Sequence, residues 1–402
     1  MGGLSPPSRA RCGLGTLAGM ALHIEWIPGI SGADARQWDA LVDSDPGGNP
    51  FLRHAFLRAL EEGGCASAAT GWEPHHLLVH EGDRLVAAAP VYRKFHSYGE
   101  YVFDWAWAEA LERAGGSYYP KWLCAVPFTP VAGSRLLAAG DGAREAAAQA
   151  LARLARSPGI ESSMHLLFPP EDQAQLLVRD GFLLRTGIQF HWTNRGYRDF
   201  ADFLAALDQP KRKKIRAERR KVQEAGVTLE RRSGAQLTEE DWAFFHRCYA
   251  GTYAAHGMPP YLDEAFFQRI GREMPQNLLL VLATREGERI ASALGVFDPV
   301  RGALYGRYWG ATQDVSCLHF ECCYYQMIEF AIERGLQVFE GGAQGAHKLA
   351  RGLDPVPTVS AHWVRDPGLR AAVGRFLVRE RSAITDAVDE LSEHRAYRGR
   401  AE

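Results

Sequence analysis

No stretch of this chain approaches eighteen consecutive apolar residues, so no segment is expected to cross a membrane as a helix. The seven cysteines are an odd number and contain no Cys-x-x-Cys pair, and Cys322 adjoins Cys323; this argues against a disulfide framework and for reduced thiols in a cytoplasm. Neither sign of charge is in excess, since 46 Lys and Arg against 48 Asp and Glu leave a net charge of −2, and the overall balance therefore points to no nucleic-acid partner. Paired His75-His76 near His80 has no Cys or carboxylate to complete a metal site, so no metal is expected. The Met-Gly-Gly-Leu-Ser-Pro start misses the myristoylation pattern at Pro6. What remains is a globular profile, 46% hydrophobic and 23% charged over 402 residues, long enough for two domains with separate cores.

Residues 1–20 hold Gly, Pro and Ser without a continuous apolar core for export. They are expected to be a disordered leader, or an over-extended start ahead of Met20. The most informative stretch is 277–348. It predicts two antiparallel strands, 278–284 and 289–297, joined by a tight turn at Glu286-Gly287, then a third strand over 303–311, one long helix and a fourth strand over 336–340. Phe320, Cys323, Tyr324, Met327, Ile328 and Ala331 form one apolar stripe at helical spacing, with Gln326, Glu329 and Glu333 pointing away from it. Ser316 is the expected N-cap and Gly335 the expected stop.

A strand, helix, strand unit of this kind is a right-handed parallel crossover. Its ligand edge lies where both strands end and the helix begins, and an anion is a natural guest there. That edge gathers Trp309-Gly310-Ala311-Thr312, the helix start around Ser316 and His319, and Glu340-Gly341-Gly342, with the loop 343–348 hanging over it.

The same pattern occurs twice. Glu81-Gly82-Asp83-Arg84-Leu85-Val86-Ala87-Ala88 matches Glu286-Gly287-Glu288-Arg289-Ile290-Ala291-Ser292-Ala293 at an offset of 205 residues, about half the chain. Each copy continues to a crossover helix and another strand: the earlier one predicts a helix over 143–156, a strand over 164–168, a helix over 171–179 and a strand over 183–192. The reading is a tandem duplication of one α/β domain, with 21–195 and 196–402 as the two domains and mixed sheets flanked by helices. The second domain would carry a basic helix over 210–222 and a C-terminal helix.

Taken together, these blocks resemble a known family. Gly181-Phe182 between a helix and a strand, and the hairpin, strand, helix and strand over 278–340, look like the GCN5-related N-acetyltransferase fold. Asn49-Pro50-Phe51, Tyr118-Tyr119-Pro120-Lys121, Val126-Pro127-Phe128-Thr129-Pro130-Val131, the run 211–220 and the block 341–348 together resemble the FemAB-like family of predicted bacterial N-acyltransferases, related to Fem-type peptidoglycan aminoacyltransferases. The resemblance implies transfer of an acyl group from an activated carrier to an amine. Acyl-CoA or acyl carrier protein would be the co-substrate, with no tightly bound cofactor. The loop 312–319 lacks the glycines with which this fold usually holds the coenzyme A pyrophosphate.

Amine attack on an ester or thioester needs a base near the amine and donors near the developing oxyanion. Lys348 matches the position at which Fem-type enzymes carry a lysine, and Glu340, His347 and His319 are the candidate bases. Trp309 and Arg307 are candidates for substrate contact, and Gly310, Ala311, Thr312 and Ser316 for the carrier. In the first domain Asp104, Trp107, Tyr118, Tyr119 and Lys121 combine aromatics with single charges at an expected rim suited to a long amphipathic substrate.

Eight of the eleven residues from Lys211 to Lys221 are Lys or Arg, with Ile215 and Val222 as the clear apolar contacts. The run is expected to be solvated, or to meet phosphates of an anionic membrane or of tRNA. Two enzymatic readings follow: fatty-acyl transfer to the amine of a lipid or envelope precursor at the inner membrane face, or tRNA-dependent aminoacyl transfer to a peptidoglycan precursor. A non-catalytic envelope-binding module stands as the third.

Overall fold

Two hairpins of matching sequence fold alike. Leu278–Arg285 pairs with Glu288–Asp298, with Arg285 opposite Glu288. Glu286 and Gly287 in the turn have φ of 53° and 83°, the two positive values a two-residue type I′ turn requires. His76–Glu81 pairs with Arg84–Ala89 in the same way, Glu81 opposite Arg84, with Gly82 at φ 59°. Each copy then runs into a parallel crossover. In the later one Ala303–Ala311 lies parallel to Val338–Glu340. In the earlier one Lys121–Cys124 lies parallel to Ser163–Leu167 across the helix Asp141–Arg156.

The computed structural model describes residues 15–17, 20–343, 345–393 and 396–397. The expected leader therefore lies mostly outside the described residues; Gly15–Leu17 is a strand paired with the start of Met20–Ile27. The chain forms two units. One comprises Met1–Arg185 and Val359–Arg379, the other Thr186–Thr358 and Glu380–Glu402. This differs from two successive segments meeting at 195/196, because the later chain supplies part of the first unit. The physical reason lies in the helix Pro367–Glu393: Leu369, Val373 and Leu377 near its start are buried with Trp107, Tyr118 and Val364 of the first unit.

In the first unit, Pro90 separates strands of two sheets. Arg84–Ala89 belongs with Met20–Ile27, His76–Glu81 and Leu137–Ala138, whereas Val91–Lys94 belongs with Trp72–Pro74, Lys121–Cys124 and Ser163–Leu167. The helix Asp141–Arg156 buries Ala147, Leu151 and Ala155; its small residues let it lie close to the sheets.

In the second unit, one sheet runs Val227–Ser233, Leu278–Arg285, Glu288–Asp298, Ala303–Ala311, Val338–Glu340, and then His191 to Thr193 antiparallel to the last. The crossover helix packs Met327, Ile328 and Ala331 on this sheet, as its stripe predicts. Its other faces differ from expectation. Gln326 is buried and donates to Glu321, itself 2% exposed, and Glu321 and Glu329 both accept from Arg219. The cause is a second layer: the basic helix Gln209–Glu224 covers this face, burying Ile215, Glu218 and Val222, so it is not solvated all round. Glu321–Tyr325 forms a π-helical turn between Leu318–Phe320 and Gln326–Glu333. Ser316 does not cap the helix. Cys317 occupies that position in a left-handed conformation (φ 68°), with Ser316 Oγ 3.6 Å from its sulfur.

Candidate active site

The strands Ala303–Ala311 and Val338–Glu340 stay paired for three residues, Ala303 to Tyr305 against Val338 to Glu340. Beyond that they part, because the first strand continues while the other ends at Gly341 and Gly342. A register shift places Tyr308 opposite Leu294 but Gly306 opposite Gly295, leaving Arg307 as the extra residue of a bulge. Bulges of this kind re-aim side chains beside functional clefts. Where the strands part, a cavity of about 140 Å³ opens, lined by Arg307, Trp309 and Gly341 and, from the helix, by His319, Cys323, Tyr324 and Met327. The helical residues come from the π turn and its flanks, and such turns are frequent at functional sites.

Lys348 and Arg351 come from the short helix Ala346–Arg351 that follows the strand end. Lys348 is 5% exposed, with its ammonium 5.8 Å from the centre of the Phe190 ring. No carboxylate lies within ion-pair distance of it among the described residues, and burial pulls its pKa down to about 8. Arg351, 1% exposed, anchors the loop. It donates twice to Glu218 at 2.9 and 2.8 Å, to Tyr325 Oη at 3.0 Å and to the His347 carbonyl at 2.7 Å, and lies 3.5 Å over the Phe320 ring. The sequence reading missed this pair. Its trace was the spacing Ile215, Glu218, Val222, which puts the glutamate on the buried face of an otherwise basic helix.

His319 is half-buried, its ring edge-on to Trp309 at 5.5 Å. Burial, then the charges of His347, Arg351 and Lys348, lower its pKa to about 4, so it is neutral at pH 7. His347 is exposed, with Nε2 3.2 Å from Tyr324 Oη, and is lowered by burial and by Arg351, Lys348 and Lys214. Glu340 is half-buried at the strand end, with Oε2 3.9 Å from His191 Nε2. The Cys323 thiol is pushed above its usual range by burial and is therefore protonated, which makes it a poor nucleophile. Lys348, His347, His319, Glu340, Trp309 and Arg307 thus all come from the elements around the parted strands.

The expected carrier edge is built differently. A wider cleft of about 390 Å³ is lined by Trp309, Ala311, Thr312 and His319 on one side and by Thr252 and His256 on the other. Gly310 does not face it as a phosphate cradle: a Cβ there would stand 1.9 Å from the carbonyl oxygen of Cys248, so the glycine admits the helix Glu239–Ala255. The Thr312 N–H is donated to Ile290 O and the Leu318 N–H to Val315 O. Ser316 is exposed. Two of the backbone donors at this edge are thus taken within the protein.

The first-unit candidates form no rim. Asp104, Trp107, Tyr118 and Lys121 are all buried, and Tyr119 is half-buried with its hydroxyl 2.8 Å from Ser97 Oγ. The reason is mutual satisfaction. The Lys121 ammonium donates to Asp104 at 2.5 Å, Glu100 at 2.8 Å and Ser97 at 2.7 Å, and Tyr118 Oη donates to Asp104 at 2.7 Å. Burial works against the Lys121 charge, but Asp104 and Glu100 outweigh it and hold its pKa above the usual lysine range. The network continues through Tyr118 to His165, whose Nδ1 is 2.7 Å from His362 Nδ1.

The sequence profile of the FemAB-like family, described as peptidoglycan biosynthesis/recognition, matches residues 29–399. No curated protein sequence matches the chain. Among solved structures, FemX superposes with a TM-score of 0.53 at 13% identity, over 87% of this chain and 100% of its own. The C-terminal domain of a putative lysylphosphatidylglycerol synthetase from Agrobacterium fabrum gives 0.53 at 10% identity, over 84% and 94%. L-PGS from Bacillus licheniformis gives 0.53 at 10% identity, over 86% and 97%. At these identities the likeness is one of fold, and it matches the expected mixed α/β architecture of tandem acetyltransferase-like domains. With most of its length matched by the family profile, the chain belongs to the FemAB-like family.

Proposed function

We propose that the chain is an N-acyltransferase that moves an acyl group from an activated carrier to the amine of a cell-envelope precursor, with the site in its second unit. The observation that carries this reading is a buried ammonium, Lys348, with no carboxylate in ion-pair reach among the described residues, next to Gly341 and Gly342 where the strands part. A charge left unneutralised in a dry site is costly, and it is useful where negative charge develops. The amine nitrogen bonds to the carbonyl carbon, and the displaced electron pair rests on the carbonyl oxygen opposite Lys348. The amine proton passes to neutral His319. The electrons then return from the oxygen, the bond from carbon to the carrier oxygen or sulfur breaks, and the protonated His319 gives its proton to that leaving atom. Surrounding cations keep the incoming amine neutral and nucleophilic. No enzyme nucleophile is required, consistent with the protonated Cys323.

A second reading, an aminoacyl ester of tRNA as donor, is favoured by the loop 312–319, which lacks the glycines expected where this fold holds coenzyme A. It is also favoured by the exposed cations Lys213, Lys214, Arg216, Arg220 and Lys221, which offer a polyphosphate a track on the basic helix. Both donors place the enzyme in the cytoplasm.

Lys348→Met tests the shared claim, because it keeps the stem and removes the charge. Turnover should fall about 100-fold or more. Stability should rise, by up to about 3 kcal/mol at neutral pH, since the ammonium is held at a pKa near 8 in place of 10.5. A parallel loss of both activity and stability would make Lys348 a structural residue.

A further inference from the structure

We infer that the transferred group is short, about six non-hydrogen atoms with its carbonyl, and that Met327 and Phe339 set this limit. This rests on the acyl-transfer reading above. The cavity at the parted strands holds about 140 Å³, close to the roughly 150 Å³ that accommodates a benzene molecule. A twelve-carbon chain has roughly twice as many heavy atoms as such a space takes. The walls offer little slack. Met327 is 1% exposed and Phe339 fully buried. A Cβ placed on Gly295 would meet Met327 Sδ at 3.1 Å, and one on Gly306 would meet Phe339 Cε2 at 3.0 Å, so both side chains are pressed against the sheet backbone. Lengthening the cavity past these two walls would require moving core side chains.

The second cleft, about 390 Å³, shares Trp309 and His319 with the first. The pair forms a partition, with the carrier on its wide side, the acyl group on its narrow side and the carbonyl between. A fatty chain has no room on the narrow side past Met327 and Phe339.

Unreactive amides test the size limit independently of turnover. The full chain carries six methionines, so methyl-labelled protein gives a sparse spectrum in which Met327→Ala identifies the Met327 resonance. Butanamide, with six heavy atoms, is expected to shift that resonance, and octanamide to bind at least about tenfold more weakly. Phe339→Leu should bring octanamide to within about twofold of butanamide, and Gly306→Ala, which adds a methyl against the Phe339 ring, should abolish the butanamide response. The Gly306 variant keeps the test open if Phe339→Leu fails to fold. Octanamide binding wild type as tightly as butanamide, or no amide shifting the Met327 methyl, would overturn the inference. Amides obeying the size rule in a protein that forms no amide product would instead sink the transfer reading and leave the size limit standing.

Discussion

At the scale of single residues, the site depends on what is withheld from Lys348. The same burial that pulls its pKa to about 8 makes it responsive to pH. In the proposed role the charged form is the active one, so the rate should be flat between about pH 4, below which His319 protonates, and about pH 8, and fall about tenfold per unit above it, and Lys348→Met should lack that upper limb. Stability should run the other way. The folded pKa lies below the free-lysine value of 10.5, so between about 8 and 10.5 the unfolded chain binds more protons and stability gains as pH rises through that window. Rate profiles and denaturant midpoints on wild type and Lys348→Met measure both; a rate that rises through pH 8 would make Lys348 a base. Lys348 was legible because Gly341-Gly342 precedes it in a block that resembles the family. Arg351 was not, since an arginine three residues later in a loop has the same local sequence whether it is solvated or buried against Glu218.

Among the elements, the hairpin turn, the parallel crossover and the apolar stripe could all be read from periodicity and from glycine at positive φ. The π turn could not. The stripe from Phe320 to Ala331 keeps its helical spacing, and one wide turn leaves no mark in it. Nor could the covered face be read. Gln326 and Glu329 are polar, and polarity alone does not distinguish solvent from a neighbouring helix that brings Arg219. Gly310 departs from its expected carrier role for a related reason: a crossover predicts an open edge at its helix start, but not the helix Glu239–Ala255 pressed on that glycine. Because the basic helix docks through Glu218 and Arg351, Glu218→Gln should leave a buried guanidinium uncompensated and cost about 3–5 kcal/mol in denaturant unfolding. Lys213→Gln, on the exposed face, should change stability by no more than about 0.5 kcal/mol. Equal effects would mean that the helix is held by Ile215 and Val222 alone.

For the whole molecule, the matching hairpins 205 residues apart make the tandem architecture readable in the sequence alone. What the linear sequence hid is that 359–379 returns to the first unit; a helix shows its periodicity but not which core it serves. The same blindness placed Lys121, Asp104 and Tyr118 at a rim, because single charges among aromatics read alike at an edge and in a satisfied interior network. The central claim is that the second unit joins a short acyl group to an envelope amine. It is tested most directly by mass spectrometry of envelope precursors from cells lacking the gene, cells carrying it, and cells carrying Lys348→Met at equal protein level. The account predicts an amide-linked species, heavier than its acceptor by a short acyl group, in the second culture alone. An unchanged precursor profile across all three cultures, or the same species restored by Lys348→Met, would contradict it.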